Sequence, residues 1–224
     1  MPKHDRKNRK VLWILLSILL FATVAAGVFF GLKFFLGDGQ TNGEQQFQAR
    51  NDLDEQVVTL EQTSAWEVAP DRPRYMSIPK IGINSARVVA LGLVGSENRL
   101  DDPNNIYDVG WYMDSAGPGA VTAGKPAALY DGHNTGVNAR GVFWRLGELA
   151  VGDEINIERG DGQTFRYAIA ERSEPPLEQV DMSIMMKSAD ANIEGLNIIT
   201  CAGEWTADKN TFSHRLLIRA VLTQ

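Results

Sequence analysis

A chain of 224 residues has room for one good-sized domain and a smaller segment beside it. With 44% hydrophobic residues its composition is that of an ordinary globular protein, but the charge is unevenly placed: beyond residue 33 stand 16 basic and 27 acidic residues, a net charge of −11. A surface of that sign does not neutralise phosphates, which excludes nucleic acid as a partner.

The chain opens with Lys3, Arg6, Lys7, Arg9 and Lys10 against a single Asp5. Val11 to Leu32 then holds no charged residue and is rich in Leu, Ile, Val and Phe. At about 1.5 Å rise per residue, roughly 20 such residues cross a bilayer core of about 30 Å. Residues 1–10 are therefore expected to form a cytoplasmic flank and residues 11–36 a transmembrane anchor. The basic flank retains the N-terminus inside and sends the remainder of a single-pass protein outside the membrane. The rival reading is a cleaved signal peptide, whose apolar region spans only about 7–15 residues before a small-x-small site. Here the apolar run continues past Ala25-Ala26-Gly27 to Leu32, and Phe34-Phe35-Leu36 follows Lys33, which favours the anchor.

Residues 37–74 read as an extracytoplasmic linker, opening on the polar, Gly-rich run from Gly37 to Gln46 and closing with Pro70 and Pro73. Within it, Val57-Val58-Thr59-Leu60 fits either a short helix or a strand. From Tyr75 the pattern changes to short strands between turn signals. Strands are expected at Tyr75–Ile78, Ala86–Leu91, Ala127–Tyr130, Glu154–Glu158, Thr164–Ala170, Leu196–Cys201 and His214–Thr223. Helices are expected at Val142–Leu149 and Met182–Ala189. Many short strands with few helices point to a mainly β fold, a closed barrel or a sandwich, with the barrel preferred. Residues 75–224 form that domain.

Cys201 is the only cysteine, so no internal disulfide is available to it. A lone cysteine is by default a small buried hydrophobe. Its surroundings argue otherwise: an apolar strand ends there and Ala202-Gly203 follows, the pattern of a strand-to-loop rim. A cysteine nucleophile needs a base or a positive neighbour, because a free thiol ionises only near pH ~8.5. Beyond the anchor there are two histidines, His133 and His214. His133 sits in Asp131-Gly132-His133-Asn134-Thr135-Gly136, a turn-rich run just after a strand, where exposed functional side chains collect. Thiol attack on an amide also needs a donor for the oxyanion. Arg215 and Arg219 bracket Leu216-Leu217-Ile218 on the last strand, and period two puts Arg215, Leu217 and Arg219 on one face and His214 on the other. The same pattern fits two solvent-facing arginines on an amphipathic strand.

Ile199-Thr200-Cys201, with Arg215 fourteen residues on in Ser213-His214-Arg215-Leu216-Leu217-Ile218-Arg219, resembles the sortase signature. Gly132-His133 matches the family's glycine-histidine element. Ser77-Ile78-Pro79-Lys80-Ile81-Gly82, Val109-Gly110-Trp111-Tyr112 and Gly141-Val142-Phe143-Trp144-Arg145-Leu146 followed by Gly152-Asp153 are similar to sortase subgroups of actinobacteria-like lineages. The resemblance spans residues 74–224 in order. It implies an eight-stranded barrel with Cys201 as nucleophile, His133 as acid/base and Arg215 as oxyanion or substrate clamp. It implies cleavage of a C-terminal LPXTG-like sorting signal between Thr and Gly, and transfer of the acyl group to an amine of a cell-wall precursor or a pilin. No cofactor and no metal are implied. The chain departs from the family in having Asn197-Ile198 where Thr-Leu usually opens the cysteine strand.

Three alternatives belong beside this reading. An L,D-transpeptidase would show Ser-His-Gly-Cys, and Thr200-Cys201-Ala202-Gly203 lacks it. A cysteine peptidase without transfer activity is chemically close. A non-enzymatic anchored β-domain would keep Cys201 buried and unreactive.

Overall fold

The computed structural model describes residues 53–95, 99–119 and 127–223. Among the described residues ten strands follow one another: β1 (Pro73–Ile78), β2 (Ile83–Leu91), β3 (Leu93–Val94), β4 (Arg99–Leu100), β5 (Val109–Tyr112), β6 (Ala128–Asp131), β7 (Glu154–Arg159), β8 (Thr164–Ser173), β9 (Gly195–Thr206) and β10 (Thr211–Leu222). Eight of them close into a barrel in the order β1-β2-β5-β6-β9-β10-β8-β7, while β3 and β4 pair as a separate ribbon. The expected closed eight-stranded barrel is present. The β2–β5 and β6–β9 ladders are parallel.

Alternation along the strands sorts the apolar residues onto two faces. Ala128 and Tyr130 of β6, Leu196 and Ile198 of β9, and Leu216, Ile218 and Ala220 of β10 join Ile155, Ile157 and Tyr167 in the barrel interior. The intervening residues Leu129, Ile199 and Leu217 point outward and form a second apolar cluster with Met182, Met185, Met186 and Tyr112. The barrel wall between β6 and β10 is thus apolar on both sides.

Two expected helices are shorter than their spacing suggested. In 142–149, Phe143, Leu146 and Leu149 are buried at intervals of three, and the chain makes turns and a 3-10 helix at Leu146–Glu148. Three residues per turn is the period of that tighter helix. In the β8–β9 connection, helix α2 spans only Met182–Met185, N-capped by Asp181. Asn197 explains where the chain goes next. Its side chain is fully buried and its Nδ2 donates to the carbonyls of Met185 (2.8 Å) and Lys187 (2.9 Å). Arg219, paired across the ladder with Asn197, donates to Ser188 O at 2.9 Å and to Glu171. The departure from the Thr-Leu pattern therefore fastens this connection to the outer face of β9.

The linker reading needs correction from residue 53 onward. Residues 53–72 pack on the barrel instead of forming a free tether. Thr59 caps helix α1 (Leu60–Ser64) with a reciprocal capping box to Gln62. Trp66 Nε1 donates to Val88 O at 3.2 Å, Arg74 Nε to Trp66 O at 2.7 Å, and Tyr75 OH to Thr63 O. Composition alone did not register this, because the docking uses one tryptophan and hydrogen bonds more than apolar burial. The anchor expected at 11–36, its basic flank and the start of the linker lie outside the described residues. Among the described residues no helix is long and apolar enough to cross a membrane.

Phe143 tests the interior. It is fully buried, and a Cβ added to Gly132 would come within 2.7 Å of its ring, so this ring packs directly under the histidine loop. Phe143→Ala is expected to lower the unfolding free energy by about 3–5 kcal/mol, read from urea denaturation. A loss under about 1 kcal/mol would contradict this packing.

Candidate active site

Position in the sheet, more than local sequence, brings the three site residues together. In the parallel β6–β9 ladder Asp131 lies opposite Ile199. The ladder ends there, and the chain carrying His133 leaves β6 two residues on, its neighbours Gly132 and Asn134 bonded to β9 at Thr200 and Cys201. In the antiparallel β9–β10 ladder Arg215 lies directly opposite Cys201. Directly opposed side chains share a face, with Cβ atoms about 4.5–5.5 Å apart. Cys201 has the parity of Ile199, so thiol and guanidinium are both on the outer face, while Ala202 packs on the interior cluster. His214 pairs with Ala202, on the opposite face, and its Nδ1 is within 2.8 Å of Ser213 Oγ.

Cys201 is half-buried and does not end its strand, which runs on to Thr206. The rim expected at Cys201 is real in another sense. β6 stops at Asp131, so past Ile199 the far edge of β9 is taken over by the histidine loop. Thr200 Oγ1 donates to Gly132 O at 2.8 Å, and Asn134 Nδ2 donates to Cys201 O at 3.0 Å. The neighbours of His133 on both sides are therefore bonded to β9, one at the residue before the cysteine and one at the cysteine itself. Gly141 closes the loop from behind. Its N–H donates to Asn134 O, and Phe143 N–H donates to His133 O, both at 2.9 Å. A Cβ on Gly141 would sit 2.2 Å from His133 O, so only glycine fits there.

The imidazole is oriented by a backbone carbonyl. His133 Nε2 lies 2.8 Å from Pro103 O. A carbonyl only accepts, so Nε2 donates in this bond, which leaves Nδ1 as the ring nitrogen free of that tie. Asp131, the nearest carboxylate in sequence, does not serve as orienter through Oδ1, which is buried without a hydrogen-bond partner. Burial, reinforced by the negative charges of Asp102 and Asp101, pushes the Asp131 carboxyl well above the usual carboxylate range.

Arg215 is held by its own hairpin. Nη1 donates to Phe212 O (3.0 Å) and His214 O (2.9 Å), and Nη2 to Thr211 Oγ1 (2.9 Å). Three bonds fix the guanidinium against residues 211–214 of its own strand. Arg219 lies four residues away with its Nη groups committed to Glu171 and the β8–β9 connection. The sequence pointed to Cys201, His133 and Arg215, and the structure juxtaposes their positions. Asn134, Pro103 and the anchoring role of Thr200 were not read from sequence. Asn134 follows the histidine in a turn-rich run, but its target is 67 residues away.

Asp131 yields a pH-dependent prediction. Its carboxyl ionises near pH ~3.9 in the unfolded chain and at higher pH in the folded one, so ionisation opposes folding increasingly as pH rises from there. Asp131→Asn is therefore expected to raise Tm near pH 7, with the gain narrowing toward pH 4. An equal Tm difference at both pH values would contradict the buried, proton-holding carboxyl.

Among the described residues no group of His, Cys, Asp and Glu is placed to hold a metal ion. The fold has known counterparts. Sortase A from Corynebacterium diphtheriae, a lid mutant, aligns with a TM-score of 0.50 at 20% identity, covering 81% of this chain and 91% of that one. Sortase C of Streptococcus pneumoniae aligns at 0.50 and 15%, covering 86% and 93%. At these identities the likeness is one of fold. A comparison with curated proteins finds no match. A family model of the sortase domain matches residues 76–223, from β1 to the end of β10, with Cys201, His133 and Arg215 inside it. The chain belongs to the sortase family of cysteine transpeptidases.

Proposed function

We propose that this protein is a membrane-anchored sortase acting outside the cytoplasm, with Cys201 as nucleophile, His133 as acid/base and Arg215 as the oxyanion and substrate clamp. The observation that carries the assignment is the bracketing of His133. Its two neighbours are bonded to β9 at Thr200 and Cys201, while Arg215 stands opposite the cysteine on the other side. One half-buried thiol thus has a proton acceptor on one flank and a fixed cation on the other, which a structural cysteine does not need.

The Cys201 thiolate attacks the Thr carbonyl carbon of a Thr–Gly bond in a C-terminal LPXTG-like signal. The C–N bond breaks, the leaving amine takes a proton from His133 Nδ1, and a thioester remains on Sγ. An incoming amine then attacks the thioester carbonyl and gives its proton to Nδ1. The C–S bond breaks and the thiolate returns. The acceptor is an amine of a peptidoglycan precursor or of a pilin lysine. The apolar 11–36 segment, with its basic flank, supports single-pass anchoring with the N-terminus inside.

The test is transpeptidation with sorting-signal peptides and an amine acceptor. Cys201→Ala and His133→Ala are expected to abolish turnover, and His214→Ala to retain it. Arg215→Ala should lose about 10²–10³ in rate, the usual effect of removing one oxyanion donor. Lys at 215 should rescue only in part, because the planar fork is lost. Arg219→Ala should act mainly through KM, by loosening the β8–β9 connection. Wild-type rates in Arg215→Ala, or loss of activity in His214→Ala beside an active His133→Ala, would reject these roles.

A further inference from the structure

Asp54 and Glu55 lie outside the family-matched region, in the stretch whose composition reads as linker, yet both are bonded to the walls of the site. Asp54 forms an isolated parallel bridge with the 104–106 stretch: its N–H donates to Asn104 O (2.9 Å), and Ile106 N–H donates to its own carbonyl (3.0 Å). Its carboxylate accepts from Asn105 Nδ2 (2.9 Å) and from Gln56 N–H (2.9 Å), and these bonds hold it below the usual carboxylate range. Buried Asn105 also donates to Gln56 O (2.9 Å) and accepts from Tyr107 N–H (2.9 Å). Two residues before this knot is Pro103, whose carbonyl holds His133 Nε2.

Glu55 reaches the other wall. Its carboxylate accepts from the N–H groups of Val137 and Asn138, in the loop that leaves His133. A Cβ on Gly136 would lie 2.3 Å from Glu55 Oε1, so the loop is shaped around that carboxylate. Successive side chains thus hold the two segments that hold the ring: Asp54 the strap bearing its hydrogen-bond acceptor, Glu55 the loop bearing its backbone.

We propose that residues 54–56 are a positioning clamp for His133, fixing the imidazole so that Nδ1 faces its proton-transfer partner, and that the functional catalytic unit begins at this segment and not at β1. The clamp rests on the reading of Cys201 and His133 as the reacting pair. Neither Asp54 nor Glu55 touches substrate; they act through the strap and the loop. The physical need is plain: a carbonyl on a connection between strands orients a ring only as well as that connection is itself held, and misplacing a catalytic group by about 1 Å costs up to about 10² in rate.

The experiment uses the full chain and a probe that needs no sorting signal, alkylation of Cys201 by iodoacetamide as a function of pH. His133→Ala supplies the profile of an unassisted thiol. Asp54→Ala and Glu55→Ala are expected to shift the profile from wild type toward that of His133→Ala. They should also lower kcat in transpeptidation about ten- to a hundredfold with KM little changed. The elements packed round the ring carry Asp101, Asp102, Asp131, Cys201 and Arg215, so deleting a nearby carboxylate also alters the field. Glu55→Gln separates the two effects: neutral, with one oxygen still able to accept from Val137 and Asn138 N–H, it should stay near wild type. Thermal melts establish folding. If neither alanine variant folds, Asn105→Leu, similar in size and uncharged but without the Nδ2 donor to Asp54 and the Oδ1 acceptor for Tyr107 N–H, is read by the same profile. A wild-type profile and kcat in the folded alanine variants, or in Asn105→Leu where neither of those folds, whatever their Tm, would overturn the clamp. A wild-type profile in His133→Ala would instead overturn the reacting pair itself.

Discussion

Everything at the site depends on which strand lies on each edge of β9. On one edge the parallel ladder sets Asp131 against Ile199; on the other the antiparallel ladder sets Arg215 against Cys201. Because side chains alternate, a slip of one residue in either ladder would turn the thiol, or its partner, to the wrong face of the barrel. The register is defended by burial on both sides. Leu196 and Ile198 are committed to the interior, and Ile199 to the outer cluster with Leu129 and Leu217. The two side-chain bonds from Thr200 and Asn134 then carry the pairing past the end of β6, where backbone pairing has stopped. A hydrophobic constraint fixes the register, and a few hydrogen bonds convert it into the position of one imidazole.

The outer face is organised by polar residues that are buried because their partners are backbone. Asn197 and Arg219 stand opposite each other across β9 and β10 and take up carbonyls of residues 185, 187 and 188. Leaving such carbonyls unpaired in an apolar setting is costly, so the β8–β9 connection is drawn onto the barrel at these points. Met182, Met185 and Met186 are thereby presented beside the thiol's face. Arg215 and Arg219 look alike in sequence, but one stands opposite the cysteine with its guanidinium held by its own hairpin and the other ties down a distant connection.

Local chemistry made much of this legible. Ile155 and Ile157 alternate with polar neighbours and are both fully buried, as period two requires. The turn run at 131–136 does carry the histidine at a strand end, and the opposite facing of His214 and Arg215 followed from parity alone. What could not be read was non-local. Whether Cys201 ends its strand depends on how far β10 stays paired with it, so a rim was expected where the strand in fact continues to Thr206. The four-residue β5 was too short to stand out from the motif it carries. In 142–149 Val142, Leu146 and Leu149 stood at helical spacing, whereas the residues buried are Phe143, Leu146 and Leu149, three apart. Asp54 and Glu55 sit in a polar stretch whose only signal is the partners it meets in three dimensions.

The central claim is that an acyl group passes through Cys201. Intact-protein mass spectrometry of the protein mixed with a sorting-signal peptide, first without and then with an amine acceptor, measures this directly. The account predicts a mass gain equal to the acyl fragment, located on Cys201, which the amine discharges into a new amide. Formation of that amide by Cys201→Ala, or by the wild type with no adduct trapped on Cys201, would contradict it.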